Sequence, residues 1–274
     1  MRLDEKMLLE SARSKGVQLE LMEVKSKPVR LWRGGEDNME CDVLLQRCTS
    51  YFRALHLSKV LELFGRRVIN NSEATTICGN KLFTTVALAR AGIPTPRSVM
   101  AFSKDSAIKA LEMVGYPAVL KPVIGSWGRL IAPLNDPESA LATFESREYM
   151  HPLYQVFYVQ ERVIRPPRDI RAVVVGGQLI TAIYRYAPPG DWMTNVARGG
   201  KAVPCQDLEG LEEVSVKAAE AVNGEVVGVD CMESKTGLLV HEVNSTVEFK
   251  TAARVTGVDV AGAIIDYAVR SAKR

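Results

Sequence analysis

Hydrophobic positions recur along this chain with two different periods, and the changes of period predict its elements. In residues 4–16, apolar side chains recur every three to four positions, which predicts a helix with Asp4 as its N-cap and Gly16 just past its end. The apolar runs that follow are short and rich in strand-forming residues. They predict strands at residues 19–24, 42–46 and 66–70, and a helix at residues 51–65 between the last two strands. This alternation predicts an α/β layer with a mainly parallel sheet, and because the layer begins with a helix, we expect the sheet to be one strand short.

The rest of the chain predicts two further units. Residues 79–96 predict a helix that ends at Gly92, before two prolines that stiffen the exit. Strands and helices then alternate over about 95–163, which predicts a compact α+β unit. The last third is rich in strands. It also contains a predicted helix at residues 208–224, a strand pair at residues 225–244 and a final helix from about residue 259.

Composition and charge narrow the classes of function. The chain has 274 residues, of which 47% are hydrophobic and 24% charged, as in a globular protein of roughly two compact units. The 35 basic and 32 acidic residues are scattered, so no basic stripe indicates nucleic-acid binding. No apolar run is long enough for a membrane span, and the N-terminus lacks a signal-peptide core. The five cysteines include no CxxC pair, which favours reduced thiols in a cytoplasmic protein.

The strand pair near the C-terminus carries polar residues where a strand normally buries carbon. The stretch HEVNSTVEFK, residues 241–250, places Glu242 and Asn244 at the end of an apolar run. If the hairpin closes with a three-residue loop at 235–237, Asp230 pairs with Glu242 and the three polar side chains share one face. These oxygens would favour Mg²⁺ over zinc. A four-residue loop would turn Asp230 to the other face, and a solvated strand end is the alternative interpretation.

A second candidate segment is VLKPVIGSWGRL, residues 119–130, in which Lys121 closes an apolar strand. The glycine-containing loop that follows lets backbone N–H groups approach phosphate oxygens, and the lysine supplies a point charge. The segment matches neither the Walker pattern nor GxGxxG, so an ordinary strand turn is an equal alternative.

A third segment, residues 168–201, places cations on or beside apolar strands. Such cations need anionic partners, either structural carboxylates or the phosphates and carboxylate of a ligand. Charge matching favours the ligand, because a triphosphate with a carboxylate substrate requires several cations. The residues concerned are Arg171, Arg185, Arg198 and Lys201.

Taken together, these motifs resemble those of the ATP-grasp ligases, and most closely the LysX/ArgX branch related to RimK. The resemblance covers nearly the whole chain and is carried by NK at 80–81, VLKPVIGSWGR, VQERV, RDIRAVVVG, YR at 184–185, TNVARGG, VDCME and HEVNSTVEFK. It implies an α/β, ATP-grasp fold in which two α+β subdomains sandwich ATP behind an N-terminal parallel-sheet domain. The implied boundaries are 1–78 for the N-terminal domain, 79–163 for the central subdomain and 164–274 for the C-terminal subdomain with the magnesium site.

The resemblance also implies roles for individual residues. The phosphate-binding lysines would be Lys81 and Lys121, covered by the loop of Gly125, Ser126, Trp127 and Gly128. Glu161, Val163 and Asp169 stand where the family holds adenine and ribose. The positions near the γ-phosphate and the acyl phosphate are Arg171, Arg185, Asn195, Arg198 and Gly199. The ligands of Mg²⁺, two ions in the family, would be Asp230, Glu242 and Asn244.

The activity implied by the resemblance is ATP-dependent amide formation on an acidic carrier protein, LysW. ATP phosphorylates the γ-carboxylate of the carrier's C-terminal glutamate, and the α-amine of an amino acid then displaces phosphate. α-Aminoadipate, in lysine biosynthesis, is the expected amino acid; glutamate, in arginine biosynthesis, or both are alternatives. The pair Thr251 and Ala252 matches neither the Asn-Ser or Asn-Thr of LysX nor the Gly-Phe of ArgX.

Further alternatives are a RimK-type glutamate ligase with another acceptor and a nucleotide-binding module without ligase activity. A Rossmann dehydrogenase is disfavoured, because no GxGxxG follows a first strand. The carrier's acidic tail would meet basic residues near the site, for which the candidates are Arg165, Arg168, Lys201 and Lys250. Relatives of this kind suggest a homodimer or homotetramer.

Overall fold

The structure is a computed structural model, and it describes residues 1–26, 28–32, 41–125, 128–190, 194, 200–206 and 209–272. Its elements follow in the order α1 (Leu3–Ser14), β1 (Leu44–Leu45), α2 (Tyr51–Leu63), β2 (Val68–Ile69), α3 (Ser72–Gly79), α4 (Lys81–Arg90), β3 (Ser98–Ala101), α5 (Lys104–Val114), β4 (Ala118–Lys121), β5 (Ala132–Leu134), α6 (Pro137–Glu148), β6 (Phe157–Glu161), β7 (Arg168–Val175), β8 (Gln178–Tyr186), β9 (Lys201–Pro204), α7 (Leu211–Ala221), β10 (Val226–Ser234), β11 (Gly237–Asn244), α8 (Lys250–Thr256) and α9 (Val260–Ala272). A short 3-10 helix lies at Pro152–Gln155. Within the described ranges, no helix is long and apolar enough to cross a lipid bilayer.

The N-terminal layer is smaller than predicted. Strands β1 and β2 pair in parallel, as expected, but each contains only two residues. The predicted strand at 19–24 is wrong: the chain there is irregular and ends in a turn, and Leu21 is 56% exposed. Its residue types suit a strand, but within the described residues no neighbouring strand satisfies its backbone hydrogen bonds, and a strand is stable only when paired.

Asp4 has a different partner from the one predicted. Helix α1 begins at Leu3 with Arg2 as its N-cap, so Asp4 lies inside the first turn. The fully buried Asp4 carboxylate accepts hydrogen bonds from the backbone N–H groups of Phe249 and Lys250, at 2.7 and 2.9 Å. It therefore caps α8, whose own N-cap residue makes no side-chain cap. This contact fixes α1 against the segment that follows β11.

Two antiparallel sheets form the rest of the fold. The central sheet has the strand order β3-β6-β4-β5, and the C-terminal sheet has the order β11-β10-β7-β8-β9. Strand β7 is buried on both faces, because its alternating side chains enter two different cores. Val173 packs with α1, α8 and α9, whereas Val174 packs with α4 and α7. The polar start of β7 is thereby held rigidly at one end of the C-terminal sheet.

The hairpin of β10 and β11 has the predicted pairing but a different turn. Asp230 lies opposite Glu242, as predicted. However, Ser234 pairs with Gly237, so the turn has two residues instead of the predicted three. A β-bulge beside Asp230 leaves His241 unpaired and shifts the register by one residue. The shorter turn and the bulge cancel, and for this reason the predicted register is correct at the functional end.

Candidate active site

A cavity of about 350 Å³ brings together most of the residues that the sequence singled out. The predicted residues that line it are Lys81, Lys121, Gly125, Gly128, Asp169, Arg171, Arg185, Asp230, Glu242, Asn244 and Thr251. Among the described lining residues, seven are cationic and four carry carboxylates, an excess of three positive charges. A cavity with this charge balance favours a polyanionic ligand.

Other predicted residues lie elsewhere. Glu161 and Val163 do not belong to the lining, and the Glu161 carboxylate accepts hydrogen bonds from the backbone N–H and the Nε of Arg97, both at 2.9 Å. Ala252 is buried beside the lining residue Thr251. Five of the predicted residues lie outside the described residues: Ser126, Trp127, Asn195, Arg198 and Gly199.

A cluster of arginines and aspartates lies at one end of the C-terminal sheet. Asp230 on β10 lies opposite Arg171 on β7, and both of its oxygens accept hydrogen bonds from that guanidinium, at 2.5 and 2.7 Å. Arg185 approaches the same carboxylate at 3.2 Å. Burial raises the pKa of Asp230, but the two arginines outweigh it and hold that pKa well below its ordinary value. Asp230 therefore remains ionised.

Arg185 is held just as firmly by a second aspartate. Its Nε and Nη2 donate to the two oxygens of Asp169, at 2.7 and 2.8 Å, and the Thr194 hydroxyl donates to Asp169 as well. Burial lowers the pKa of Arg185, but Asp230 and Asp169 raise it by a larger amount, so the net shift is upward. Both arginines thus have structural carboxylate partners, and the four charges of this cluster cancel. The excess positive charge must come from other residues.

Lys121 supplies part of that excess. It ends β4, is 7% exposed, and donates to Gln160 Oε1 at 2.6 Å. Gln160 in turn donates to the Tyr158 hydroxyl at 2.8 Å, which lies 2.7 Å from the Thr85 hydroxyl. Burial lowers the pKa of Lys121 to about 8, although Glu242 opposes this shift. The ammonium is held by a neutral amide, so its charge is left for a ligand.

Lys81 is positioned by the start of α4. The Asn80 side chain accepts from the Leu82 backbone N–H at 3.0 Å and caps this helix, which begins at Lys81 and not at residue 79. The Lys81 backbone N–H donates to the carbonyl of Val123 at 2.8 Å. Its ammonium donates to the Gly125 carbonyl at 2.8 Å and lies 3.4 Å from Glu242. Both lysines therefore border the same loop after β4.

The oxygen set of Asp230, Glu242 and Asn244 fits a magnesium ion. The hairpin register places all three on one face, and Asn244 Nδ2 lies 3.4 Å from Asp230 Oδ2. In the described part of the chain, no group of three or more histidine, cysteine or acidic side chains could hold a metal ion. Two carboxylates and an amide nevertheless suffice for Mg²⁺, which keeps several water or phosphate oxygens as ligands. Bound there, the ion would neutralise phosphate oxygens.

His241 also lines the cavity, although the sequence pattern did not predict it. Simple alternation would point it away from Glu242, but the β-bulge turns it into the cavity wall. Its buried Nε2 has no hydrogen-bond partner among the described residues. Burial, assisted by Lys121, holds the pKa of His241 well below its ordinary value, so the ring is neutral. A bulge leaves no sequence signal here, because neither neighbour is a glycine.

Known proteins similar to this chain match it over almost its full length. It is 37% identical over 277 aligned residues to the alpha-aminoadipate–LysW ligase LysX of Saccharolobus solfataricus, covering 100% of this chain and 99% of that protein. It is 36% identical over 269 residues to the glutamate–LysW ligase ArgX of Sulfurisphaera tokodaii, covering 97% and 94%. Its fold resembles the ATP-grasp ligase PsnB, solved with a minimal precursor, Mg and ADP (TM-score 0.75, 19% identity, 99% and 94% covered).

Two family profiles divide the chain between them. Residues 1–77 match the LysX preATP-grasp domain, and residues 78–268 match the RimK-like ATP-grasp domain. The second match alone spans more than half of the chain and contains Lys81, Lys121 and the whole arginine–aspartate cluster. The resemblance noted in the sequence is confirmed: this chain belongs to the RimK-like ATP-grasp family and is a ligase.

Proposed function

We propose that this enzyme joins the α-amine of α-aminoadipate to the γ-carboxylate of the C-terminal glutamate of the carrier protein LysW, using ATP, in lysine biosynthesis. The observation that carries the proposal is the cavity, in which an excess of three positive charges surrounds the oxygen set of Asp230, Glu242 and Asn244. The similarity to LysX over the whole length of the chain supports the choice of carrier and amino acid.

The chemistry proceeds in two transfers. First, the carrier's γ-carboxylate attacks the γ-phosphorus of ATP, the bond to ADP breaks, and an acyl phosphate forms. Then the neutral amine attacks the acyl carbon, the C–O bond to phosphate breaks, and the amide forms as the amine loses a proton. Lys81 and Lys121 bind phosphate oxygens, while Arg171 and Arg185 present fixed guanidinium groups to the charge that develops.

The remaining predicted residues keep their expected roles in this proposal. Two Mg²⁺ ions would be held by Asp230, Glu242 and Asn244. Of the residues expected at adenine and ribose, Asp169 lines the cavity and also orients Arg185, whereas Glu161 and Val163 would face the nucleotide from outside this lining. Ser126 and Trp127 would cover the phosphates together with Gly125 and Gly128. The acyl phosphate would contact Asn195, Arg198 and Gly199.

Glutamate is the second candidate amino acid, because the chain is almost as similar to ArgX as to LysX. The two substrates differ by one methylene group, which a pocket distinguishes by only about 1–3 kcal/mol. Thr251 lines the cavity and Ala252 lies behind it, so this pair is the proposed determinant of the choice. We expect the double substitution Thr251→Asn with Ala252→Ser, which introduces the LysX pair, to favour α-aminoadipate.

The proposal is tested by the intact mass of LysW after incubation with the enzyme, ATP, Mg²⁺ and either amino acid. A mass gain equal to the amino acid minus water, lost in Glu242→Ala, is the expected result. No gain with either amino acid, although ADP is released with another acceptor such as a peptide tail, would favour the RimK-type alternative. ATP binding without ADP release under every combination would contradict ligase activity on these substrates.

The carrier, the cell compartment and the assembly complete the proposal. An acidic carrier would approach Arg165, Arg168, Lys201 and Lys250, of which Arg168 pairs with Glu233 at 2.6 and 2.7 Å and Lys250 lies 4.0 Å from Asp4. The affinity for the carrier should then fall between low and moderate salt. We place the enzyme in the cytoplasm, as a homodimer or homotetramer; light scattering measures its mass in solution.

A further inference from the structure

Part of the cavity wall has no role in the chemistry described above. It consists of side chains from the N-terminus, from the segment after β1 and from the segment after β11. The residues are Arg2, Cys48, Thr49, Thr246, Glu248 and Thr251. Thr251, the proposed specificity residue, belongs to this wall, which is therefore a candidate for contact with the amino acid.

The Arg2 guanidinium is oriented but incompletely satisfied. Its Nε donates to Glu5 at 2.9 Å, and its Nη2 donates to Glu5 and to the Arg47 carbonyl, at 2.9 Å in the second case. Its Nη1 is buried and has no hydrogen-bond partner among the described residues. A buried donor left without an acceptor is unfavourable, because it has lost its hydrogen bonds to water and gained none in the protein. The contacts with Glu5 and Arg47 fix the orientation of the guanidinium group, so Nη1 is available to donate a hydrogen bond to a ligand.

Glu248 is the matching charge on the same wall. Its carboxylate lies 4.0 Å from Arg2 Nη1, which is beyond hydrogen-bond distance. The side chain is 38% exposed, and among the described residues it accepts no hydrogen bond. Arg2 and Glu248 are thus opposite charges that face one cavity, close together and without a direct hydrogen bond.

We propose that Arg2 and Glu248 bind the amino-acid substrate through its α-carboxylate and α-amino groups; this inference rests on the ligase function proposed above. Arg2 Nη1 donates to the α-carboxylate, and Glu248 accepts an N–H hydrogen bond from the α-amino group, whose neutral form attacks the acyl carbon. Both groups of an α-amino acid are attached to one carbon, so their spacing matches the separation of Arg2 and Glu248. The side-chain carboxylate is several bonds further away and does not match it. Arg2 and Glu248 are therefore positioning residues that select α-amino acids.

The test compares α-aminoadipate with two analogues that each lack one carboxylate. 5-Aminopentanoate lacks the α-carboxylate, and 2-aminopentanoate lacks the side-chain carboxylate. We expect the wild type to discriminate against 5-aminopentanoate by about 100-fold or more in kcat/KM. In Arg2→Gln this ratio should fall at least about tenfold, while the ratio for 2-aminopentanoate stays unchanged. Glu248→Gln should raise the KM for the amino acid about tenfold and leave the KM for ATP unchanged. If glutamate is the accepted substrate, 4-aminobutanoate and 2-aminobutanoate replace the two analogues.

Hydroxylamine separates this inference from the function on which it rests. It is a small, largely neutral nucleophile that traps the carrier's acyl phosphate as a hydroxamate without needing a site for an amino acid. Equal hydroxamate formation in the wild type, Arg2→Gln and Glu248→Gln, together with the altered ratios, is the expected result. Lys15→Gln is the matched control, since Lys15 lies at the other end of α1 and pairs with Asp266 at 2.9 Å.

Three outcomes would count against the inference. An unchanged ratio for 5-aminopentanoate in Arg2→Gln, with hydroxamate still formed, would overturn the inference alone. A parallel loss of hydroxamate and of ligation would show that Arg2 only holds α1 in place. Absence of hydroxamate from the wild type would overturn the proposed function, and the inference with it.

Discussion

The cations on the two sheets of the active site meet different kinds of partner. Arg171 and Arg185, on the C-terminal sheet, each bind an aspartate through two hydrogen bonds. Lys121, on the central sheet, binds the neutral amide of Gln160. The arginine side of the site, formed by Arg171, Arg185 and their two aspartates, is therefore neutral overall and rigid. The lysine side, formed by Lys121 and Gln160, keeps its positive charge. This difference separates two tasks: the arginines fix geometry, and Lys121 supplies attraction for phosphate.

The largest effect expected from this comparison is on the free energy of unfolding. Asp230→Ala removes a buried carboxylate that faces two guanidinium groups, and it leaves Arg171 with an uncompensated charge, whereas Arg185 keeps its bonds to Asp169. Breaking a buried ion pair in this way costs about 3–5 kcal/mol. Urea denaturation of the enzyme without ligands measures the loss. Glu213→Ala, which removes an exposed ion pair with Lys217, is the control and should change little.

If Asp230→Ala unfolded at the same urea concentration as the wild type, the arginine side would not depend on its aspartates. Its guanidinium groups would then be satisfied by other contacts, and the contrast with Lys121 would disappear.

Lys121→Met should have the opposite profile, with a large loss of activity and a small change in stability. The variant keeps most of the length and volume of the side chain, and it removes a buried charge that no carboxylate of the described residues contacts directly. Removing one preorganised charge from a phosphate-transfer site lowers kcat/KM by about 100- to 1,000-fold. Ligation kinetics and a thermal melt of the same preparation measure both quantities. Lys104→Met, at an exposed pair with Glu145, is the matched control.

A loss of activity below about tenfold in Lys121→Met would assign phosphate binding mainly to Lys81 and the arginines. A melting temperature lowered as far as in Asp230→Ala would show that Lys121, too, is a structural cation.

The sequence predicted this site where local alternation decides which face a side chain occupies. The apolar runs of β10 and β11 were sufficient to place Asp230 opposite Glu242 on one face of the hairpin. Charge matching favoured a ligand as the partner of Arg171, whereas in the structure this guanidinium binds Asp230. The register itself was correct only because two local departures, a shorter turn and a bulge at His241, cancelled. A single-residue error in either one would have separated Asp230 from Glu242.

What the sequence did not predict depends on contacts between distant segments. Asp4 caps a helix that begins 246 positions later, and Gln160 binds a lysine 39 positions earlier. Neither partner is visible in a local pattern, since each residue also has an ordinary local interpretation. Residues 19–24 show the converse: the residue types favour a strand, but no strand of the described structure lies beside them. Arg2 was missed for the same reason, because its place in the cavity wall depends on how α1 docks on α8.

The smallest expected effect is proton uptake when ATP binds. Burial lowers the pKa of Lys121 to about 8, so at pH 8 about half of the molecules carry the charge. Phosphate oxygens favour the charged form and raise this pKa toward its ordinary value, so binding should take up about half a proton at pH 8 and almost none at pH 6. Calorimetric titration in buffers of different ionisation enthalpy measures the uptake. Lys121→Met should abolish the uptake at pH 8, whereas the arginines, charged at every pH in this range, contribute nothing to it. Equal uptake at pH 6 and pH 8, or uptake that persists in Lys121→Met, would mean that another group titrates and that Lys121 is already fully charged in the free enzyme.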